Sequence, residues 1–293
     1  MSIAVFKQTL WSKKIQNQLD TLTGLRKHSD YSFQGEIKGG NVLKITASVR
    51  PTVNTYVPGT DISYENVKGT SQDLPINIYK YATQTFDDVD EAQSIPGVME
   101  NATREMAKAL ADQANIEVAN KMLDACKNGV AYTDNDDQEA TETVPQESSA
   151  SAVTKENAIP RVETGLVALY ENNVNPAEDL WGEFSPKYFS FIRQSLTETL
   201  TNNVELAKTG AVGKYNNVKV CIENLLPKDG NTRYNFIRTN KAVAYVEAIE
   251  KTEAGRLEKQ FKDYVRSLMV IGTKVVRAKE MYAIKELVSS ATI

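Results

Sequence analysis

Few stretches of the chain carry residue types at spacings that could do chemistry. Between Thr133 and Ala152 the acids Asp134, Asp136, Asp137, Glu139, Glu142 and Glu147 stand without a Lys or Arg. A calcium loop beginning at Asp134 would need glycine at its sixth place and glutamate at its twelfth, where the chain has Glu139 and Pro145. A solvated acidic loop is expected instead. A second cluster, Asp87, Asp88, Asp90 and Glu91, comes just before a helical run, where the helix dipole favours negative charge. Gly210-Ala211-Val212-Gly213-Lys214 resembles a phosphate loop, but Lys208 stands where the first glycine belongs and Tyr215 where Ser or Thr would hold magnesium. It reads as a glycine-rich turn.

Nucleophile and metal chemistry lack their usual parts. His28 is the only histidine, so a hydrolase triad has no other base of that kind, and it is expected at the surface of an N-terminal arm. Cys126 and Cys221 are the only cysteines, far apart, which excludes zinc sites of the usual Cys/His kind. Cys126 reads as a small buried apolar group. No catalytic, metal-binding or cofactor-binding residues are therefore assigned, and no enzyme activity is expected.

The composition agrees with a folded protein whose task is not to grip phosphates. The 293 residues hold 34 Lys+Arg and 38 Asp+Glu, a net charge of −4, without the basic excess of a nucleic-acid coat. With 41% hydrophobic and 25% charged residues the chain can bury a core. No apolar run approaches membrane-spanning length and the first residues lack a signal-peptide pattern, so a soluble, intracellularly made protein is expected.

The elements that must position these residues follow from periodicity. Residues 1–40 are thin in apolar groups and read as an arm that gains order by lying on something else. Leu43, Ile45, Ala47 and Val49 alternate with Lys44, Thr46 and Ser48, predicting a strand. Pro58-Gly59 marks a turn, and Leu74, Ile76 and Ile78 predict a returning strand, so the whole is a long hairpin that cannot stand alone. Ser94 and Pro96 open a helix that Gly129 stops; from Val98 to Lys127 it would be roughly 45 Å long at about 1.5 Å per residue. Its apolar positions Val98, Ala102, Met106, Ala109, Leu110 and Leu123 form one stripe that needs a partner sheet. The second half alternates helix and strand: a helix through Ile159, Val162, Leu166 and Leu169, a strand Leu180 to Phe184, and a helix opened by Pro186. Strands follow at Val218 to Ile222, Tyr234 to Ile237, Ala242 to Ile249 and Leu268 to Ile271, the last expected to break at Gly272.

This order of parts resembles the major capsid proteins of tailed bacteriophages, the Hong Kong-type capsid fold. The resemblance rests on the arm with Trp11, the hairpin with Tyr56, Pro58-Gly59-Thr60-Asp61 and Tyr64-Glu65, and Asp87-Asp88-Val89-Asp90 before the long helix. It continues through the Pro186 helix, Gly210 and Gly213 before Val218 and Val220, Leu225-Leu226-Pro227, and Phe261, Tyr264-Val265 and Ile271-Gly272.

The resemblance implies an α+β fold with an arm (1–40), an extended hairpin loop (41–82), a peripheral domain with its spine helix (83–132) closed by strands at 251–293, and an axial domain (154–250). Segment 133–153 is left as an acidic loop or insertion. It implies a shell subunit that assembles with itself into pentamers and hexamers around double-stranded DNA, without specific DNA binding and without membrane. Scaffolding, portal and decoration proteins are further implied partners, and the virion, assembled in the host cytoplasm, is the implied location. Trp11, Tyr56, Asp61, Tyr64, Glu65, Lys68, Asp87, Asp88, Asp90, Gly210 and Gly213 are the expected inter-subunit contacts. A cellular nanocompartment shell of the encapsulin type and, from another class, a carboxylate-dependent α/β enzyme are the competing readings.

Overall fold

In the computed structural model the described residues are 21, 23–34, 42–49, 51–62, 64, 66, 69–87, 98–134, 138–199 and 213–288. The period-two segment forms β1 (Val42–Ser48), which pairs antiparallel with β2 (Gly69–Pro75) from Val42 opposite Pro75 to Ser48 opposite Gly69. The returning strand does not continue to Ile78 as expected. Pro75 has no N–H to extend the ladder, Ile76 is buried, and β3 (Ile78–Asp87) begins in a different sheet. Residues 78–82, expected in the hairpin loop, thus belong to a strand of the body.

Helix α1 (Val98–Asn128) ends at Gly129, whose φ of 75° and N–H bond to the Ala125 carbonyl (2.9 Å) close it. The expected cap Ser94 lies outside the described residues. The buried stripe of α1 runs through Met106, Leu110, Ala114, Val118 and Met122, spaced by four, while Ala109 is exposed. Two short strands follow, β4 (Val130–Thr133) and β5 (Glu139–Glu142), which join β1 and β2 in a sheet of order β1-β2-β4-β5.

Next come α2 (Lys155–Glu171), β6 (Leu180–Phe184), α3 (Pro186–Thr199), β7 (Lys214–Tyr215), β8 (Val218–Ile222), β9 (Lys228–Asp229) and β10 (Thr232–Thr239). The chain closes with β11 (Val243–Arg256), β12 (Lys262–Val275) and β13 (Met281–Leu287). A mixed sheet has the order β13-β10-β6-β8-β7, with β6 and β8 parallel and β9 attached to β10. Alpha-helical cover comes from α2 and α3: Val162, Leu166, Leu169 and Ile192 pack on Leu180, Phe184, Val218, Ile237 and Ile284. A three-stranded sheet, β11-β12-β3, supports α1, whose Ala114, Val118 and Met122 share a core with Met269, Ile271, Phe236 and Tyr245. The stripe of α1 has found the partner sheet it requires.

Two further expectations change. The acidic segment is not one exposed loop: β5 within it pairs with β4, and the Asp134 N–H donates to the Gln138 carbonyl at 2.9 Å. Val144 is buried in the α1 core, Glu147 is paired with Arg161, and Gln146 and Ser151 bridge to Ala283 and Glu286 on β13. Nor does Gly272 break its strand, because β12 runs unbroken through it. A Cβ there would lie 2.9 Å from the Pro75 carbonyl oxygen and 3.0 Å from Ile76 Cγ1, so the glycine serves close approach of another backbone. Gly272→Ala is accordingly expected to destabilise the fold by about 1–3 kcal/mol through overpacking, measurable as a lower denaturation midpoint at unchanged slope in urea.

Candidate assembly surfaces and the N-terminal anchor

The hairpin loop is built around one turn. Pro58 and Gly59 occupy its centre, Gly59 has φ +89°, and the Thr60 N–H donates to the Val57 carbonyl at 3.2 Å, as a type II turn requires. The Thr60 hydroxyl donates to the same carbonyl at 2.7 Å. Beyond this turn the described loop residues bury almost nothing. Tyr56 is 61% exposed and Tyr64 93%, with Val53, Val57 and Ile62 also open to water and Asp61 beside them. Apolar and tyrosine area on a loop with no core of its own is the kind of surface that a partner covers.

The other expected contact residues are dispersed. Asp87 is the last residue of β3, in the three-stranded sheet, and Gly213 sits exposed before β7 at the edge of the mixed sheet, its carbonyl accepting from Val220 N–H. Trp11, Glu65, Lys68, Asp88, Asp90 and Gly210 lie outside the described residues.

Sequence reading missed a second open surface. The face of the three-stranded sheet opposite α1 carries Tyr79 and Tyr81 on β3, with Tyr81 (76% exposed) directly across from Leu268 on β12. The α1 side is marked by Ile78 and Ala82, packed against the core, and by the ion pair of Lys80 with Glu117 on the helix. The outer side adds Arg266, Lys251 and Glu253, the last held down at a pKa of about 2 by hydrogen bonds from Lys251 and Arg266. The alternation of Tyr79, Tyr81 and Thr83 with Ile78, Lys80 and Ala82 was the available signal, obscured because Ile78 had been assigned to the hairpin.

The N-terminal segment 23–34 is anchored to its own chain. Leu25 is fully buried in the α1 core, and Asp30 bridges to β11, its N–H donating to the Val243 carbonyl (2.8 Å) while its own carbonyl accepts from Tyr245 N–H (3.0 Å). Beneath it Arg238 of β10 and Glu183 of β6 are both 0% exposed. Arg238 donates to both Glu183 oxygens (Nε to Oε2 3.0 Å, Nη2 to Oε1 2.7 Å) and to the carbonyls of His28 and Leu25, each at 2.9 Å. Burial opposes the charged form of Glu183, but Arg238 and the hydrogen bonds from His28 and Arg238 outweigh it and keep its pKa below the ordinary carboxylate value.

His28 is not the surface residue expected. Its ring stacks on Trp181 with centroids 4.0 Å apart, and Nδ1 lies 3.1 Å from Glu183 Oε1. Glu223, just past β8, accepts the Gly24 N–H at 2.8 Å; burial and the neighbouring Glu183 charge raise its pKa to about 7. Burial pushes Cys126 up to about 12, and burial with Glu183 and Glu223 pushes Cys221 to about 11, so neither thiol is a thiolate at neutral pH. Among the described residues no three His, Cys, Asp or Glu side chains converge as metal ligands, and no helix is long and apolar enough to cross a membrane.

Comparison with solved structures places this architecture. A chain in the structure of Mycobacterium phage Che8 aligns with TM-score 0.80 at 24% identity, over 95% of this chain and 97% of that one. The capsid structure of the cyanophage P-SCSP1u aligns with TM-score 0.76 at 16% identity, over 98% and 94% of the two chains. The mature capsid of bacteriophage PhiM1 aligns with TM-score 0.73 at 14% identity, over 98% and 93%. No protein-family model and no curated protein matches the sequence. The chain has an α+β fold of the class found in phage capsids. In particular it is the tailed-phage major capsid protein fold, the Hong Kong-type fold that the order of its segments resembles.

Removing one partner of the buried pair should be severe. Arg238→Met leaves the Glu183 carboxylate buried without its cation and is expected to cost about 3–5 kcal/mol in chemical denaturation. The double variant Glu183→Leu/Arg238→Met is expected to recover a large part of that loss.

Proposed function

We propose that this chain is a major capsid protein, a structural subunit without enzymatic activity. Copies assemble into pentamers and hexamers of an icosahedral head enclosing the double-stranded DNA of a tailed phage. The observation that carries the reading is the likeness to three chains of phage structures, two of them capsids by name, over 95% or more of this chain and 93% or more of each of those chains. A hairpin loop rich in exposed tyrosine and valine, and an open sheet face, supply the cohesive area that such a reading needs. The expected division is proposed with three shifts. The extended loop ends at 77 because 78–87 pair with β12. Strand β11, from Val243, goes with β12 to the peripheral domain of α1 and β3. Strand β13, expected among the closing strands at 251–293, pairs with β10 and goes with the mixed sheet, α2 and α3 to the axial domain. Tyr56, Asp61, Tyr64, Glu65 and Lys68 of the loop, Trp11 of the arm, the acids Asp87, Asp88 and Asp90, and Gly210 and Gly213 are the inter-subunit contacts of this assignment. Head-to-tail contacts of this kind close into rings by rotation. A separate scaffolding protein, a portal and decoration proteins are the further partners, and assembly takes place in the host cytoplasm.

The reading has two direct tests. Ser48 and Gly69 are paired opposite each other, so replacing residues 49–68 by Asn-Gly should close the hairpin as a tight turn and spare the buried Leu74. The variant is expected to keep the circular dichroism and melting of the parent and to lose closed particles and ring-shaped capsomers in negative-stain images. Shells from the variant, or a strictly monomeric parent at high concentration with scaffold present, would overturn the assignment. Because the net charge is −4, filter binding is expected to show no tight duplex affinity at moderate salt; nanomolar retention would count against a shell that releases its genome.

A further inference from the structure

We propose that docking of residues 23–30 onto the mixed sheet is a proton-linked latch, in which a protonated Glu223 holds the segment firmly and an ionised Glu223 holds it weakly. The latch is a property of the folded subunit and does not depend on assembly.

The geometry confines the Glu223 carboxyl. The side chain is buried, its own N–H is fixed to the Phe184 carbonyl at 2.8 Å, and Oε2 accepts the Gly24 N–H at 2.8 Å. Gly24 closes over it so tightly that a Cβ at that position would lie 3.1 Å from Glu223 Oε1 and 2.8 Å from His28 Cε1. The groups facing this carboxyl are Glu183 from β6, Arg238 from β10, Cys221 from β8, and Thr23, Gly24 and His28 from the segment itself.

Charge makes the site sensitive to the proton. Arg238 turns two N–H groups to Glu183 and two more to the carbonyls of Leu25 and His28. An ionised Glu223 therefore puts a second carboxylate beside one guanidinium, in a place that the docked segment seals from water. The Gly24 N–H and Arg238 favour the ionised form, but burial and Glu183 outweigh them, and a neutral carboxyl still accepts the Gly24 N–H without that penalty.

The sign follows from linkage. Docked, Glu223 titrates near 7; released into water it returns towards the ordinary carboxylate value of 4.5. The docked state thus binds the proton more tightly, so docking is strongest at low pH, weakens as pH rises towards 7, and levels off above it. Between pH 6 and pH 8 the docking constant falls by about tenfold. His28 also faces Glu183 and remains in every Glu223 variant, so the difference between parent and variant isolates Glu223.

The test is hydrogen exchange of the full chain from pH 5.5 to 8.5, corrected for intrinsic rates and read on the peptide covering residues 23–30. The parent is expected to lose about tenfold in protection between pH 6 and 8, while Glu223→Gln stays flat and is better protected at pH 8. Parallel profiles in parent and variant overturn the latch. If Glu223→Gln does not fold, the Glu223 carboxyl is followed by NMR in the parent: a midpoint near neutral pH supports the latch, and one in the ordinary carboxylate range overturns it.

Discussion

A guanidinium removed from water must have partners, and Arg238 finds them on two distant parts of the chain. It stands in β10, the strand between β13 and β6, and is fully buried. Its fork grips Glu183 across the sheet, while its other N–H groups take up the carbonyls of Leu25 and His28 from a segment some two hundred residues earlier. Burying two such ions costs several kcal/mol each, which the pair and its hydrogen bonds must offset together. The arrangement therefore contributes less to net stability than to specificity: with the N-terminal segment displaced, Arg238 would lose two acceptors and Leu25 its place in the core. One buried charge thus ties β6, β10 and the N-terminal segment together.

Around this anchor the molecule divides into surfaces that are closed and surfaces that are open. The mixed sheet is covered by α2 and α3, and among the described residues the three-stranded sheet is covered by α1 on one face only. The base of the hairpin is tied down where Leu74, Leu43 and Ile45 meet Ala244 and Val246, whereas its loop presents Tyr56, Val57, Ile62 and Tyr64 to water. A second clamp holds the former acidic loop in place, with Arg161 bidentate to Glu147 and bonded to the Lys285 carbonyl. On the proposed function, a buried body and an unburied ribbon suit a subunit whose remaining burial is supplied by its copies.

Much of the framework was legible residue by residue. The alternation from Leu43 to Ala47, the stop at Gly129, the helix opened by Pro186 and the strand from Leu180 to Phe184 all depend on neighbours within a few positions, and local rules read them. What was misread has a common cause. Gly272 looked like a break because the backbone of Pro75 and Ile76, which it admits, is nearly two hundred residues away. Glu147 looked solvated because Arg161 and the edge of β13 were not visible as its neighbours, and Glu142 because Lys279 was not. His28 looked like a surface residue because Trp181 and Glu183 approach it only in the folded chain.

By itself, then, the sequence determined the kinds of element, their order, the turn at Pro58-Gly59 and the absence of a basic excess, all consequences of short-range periodicity, backbone sterics and composition. Only the tertiary structure decided that β3 leaves the hairpin for the three-stranded sheet, that Tyr79 and Tyr81 face outward, and that Glu183, Glu223, His28 and Arg238 form one buried group. The physical reason is that a charged residue in a strand faces water or core according to the strand beside it. Partners such as Leu25 and Arg238 are joined by long-range packing, which no spacing along the chain encodes.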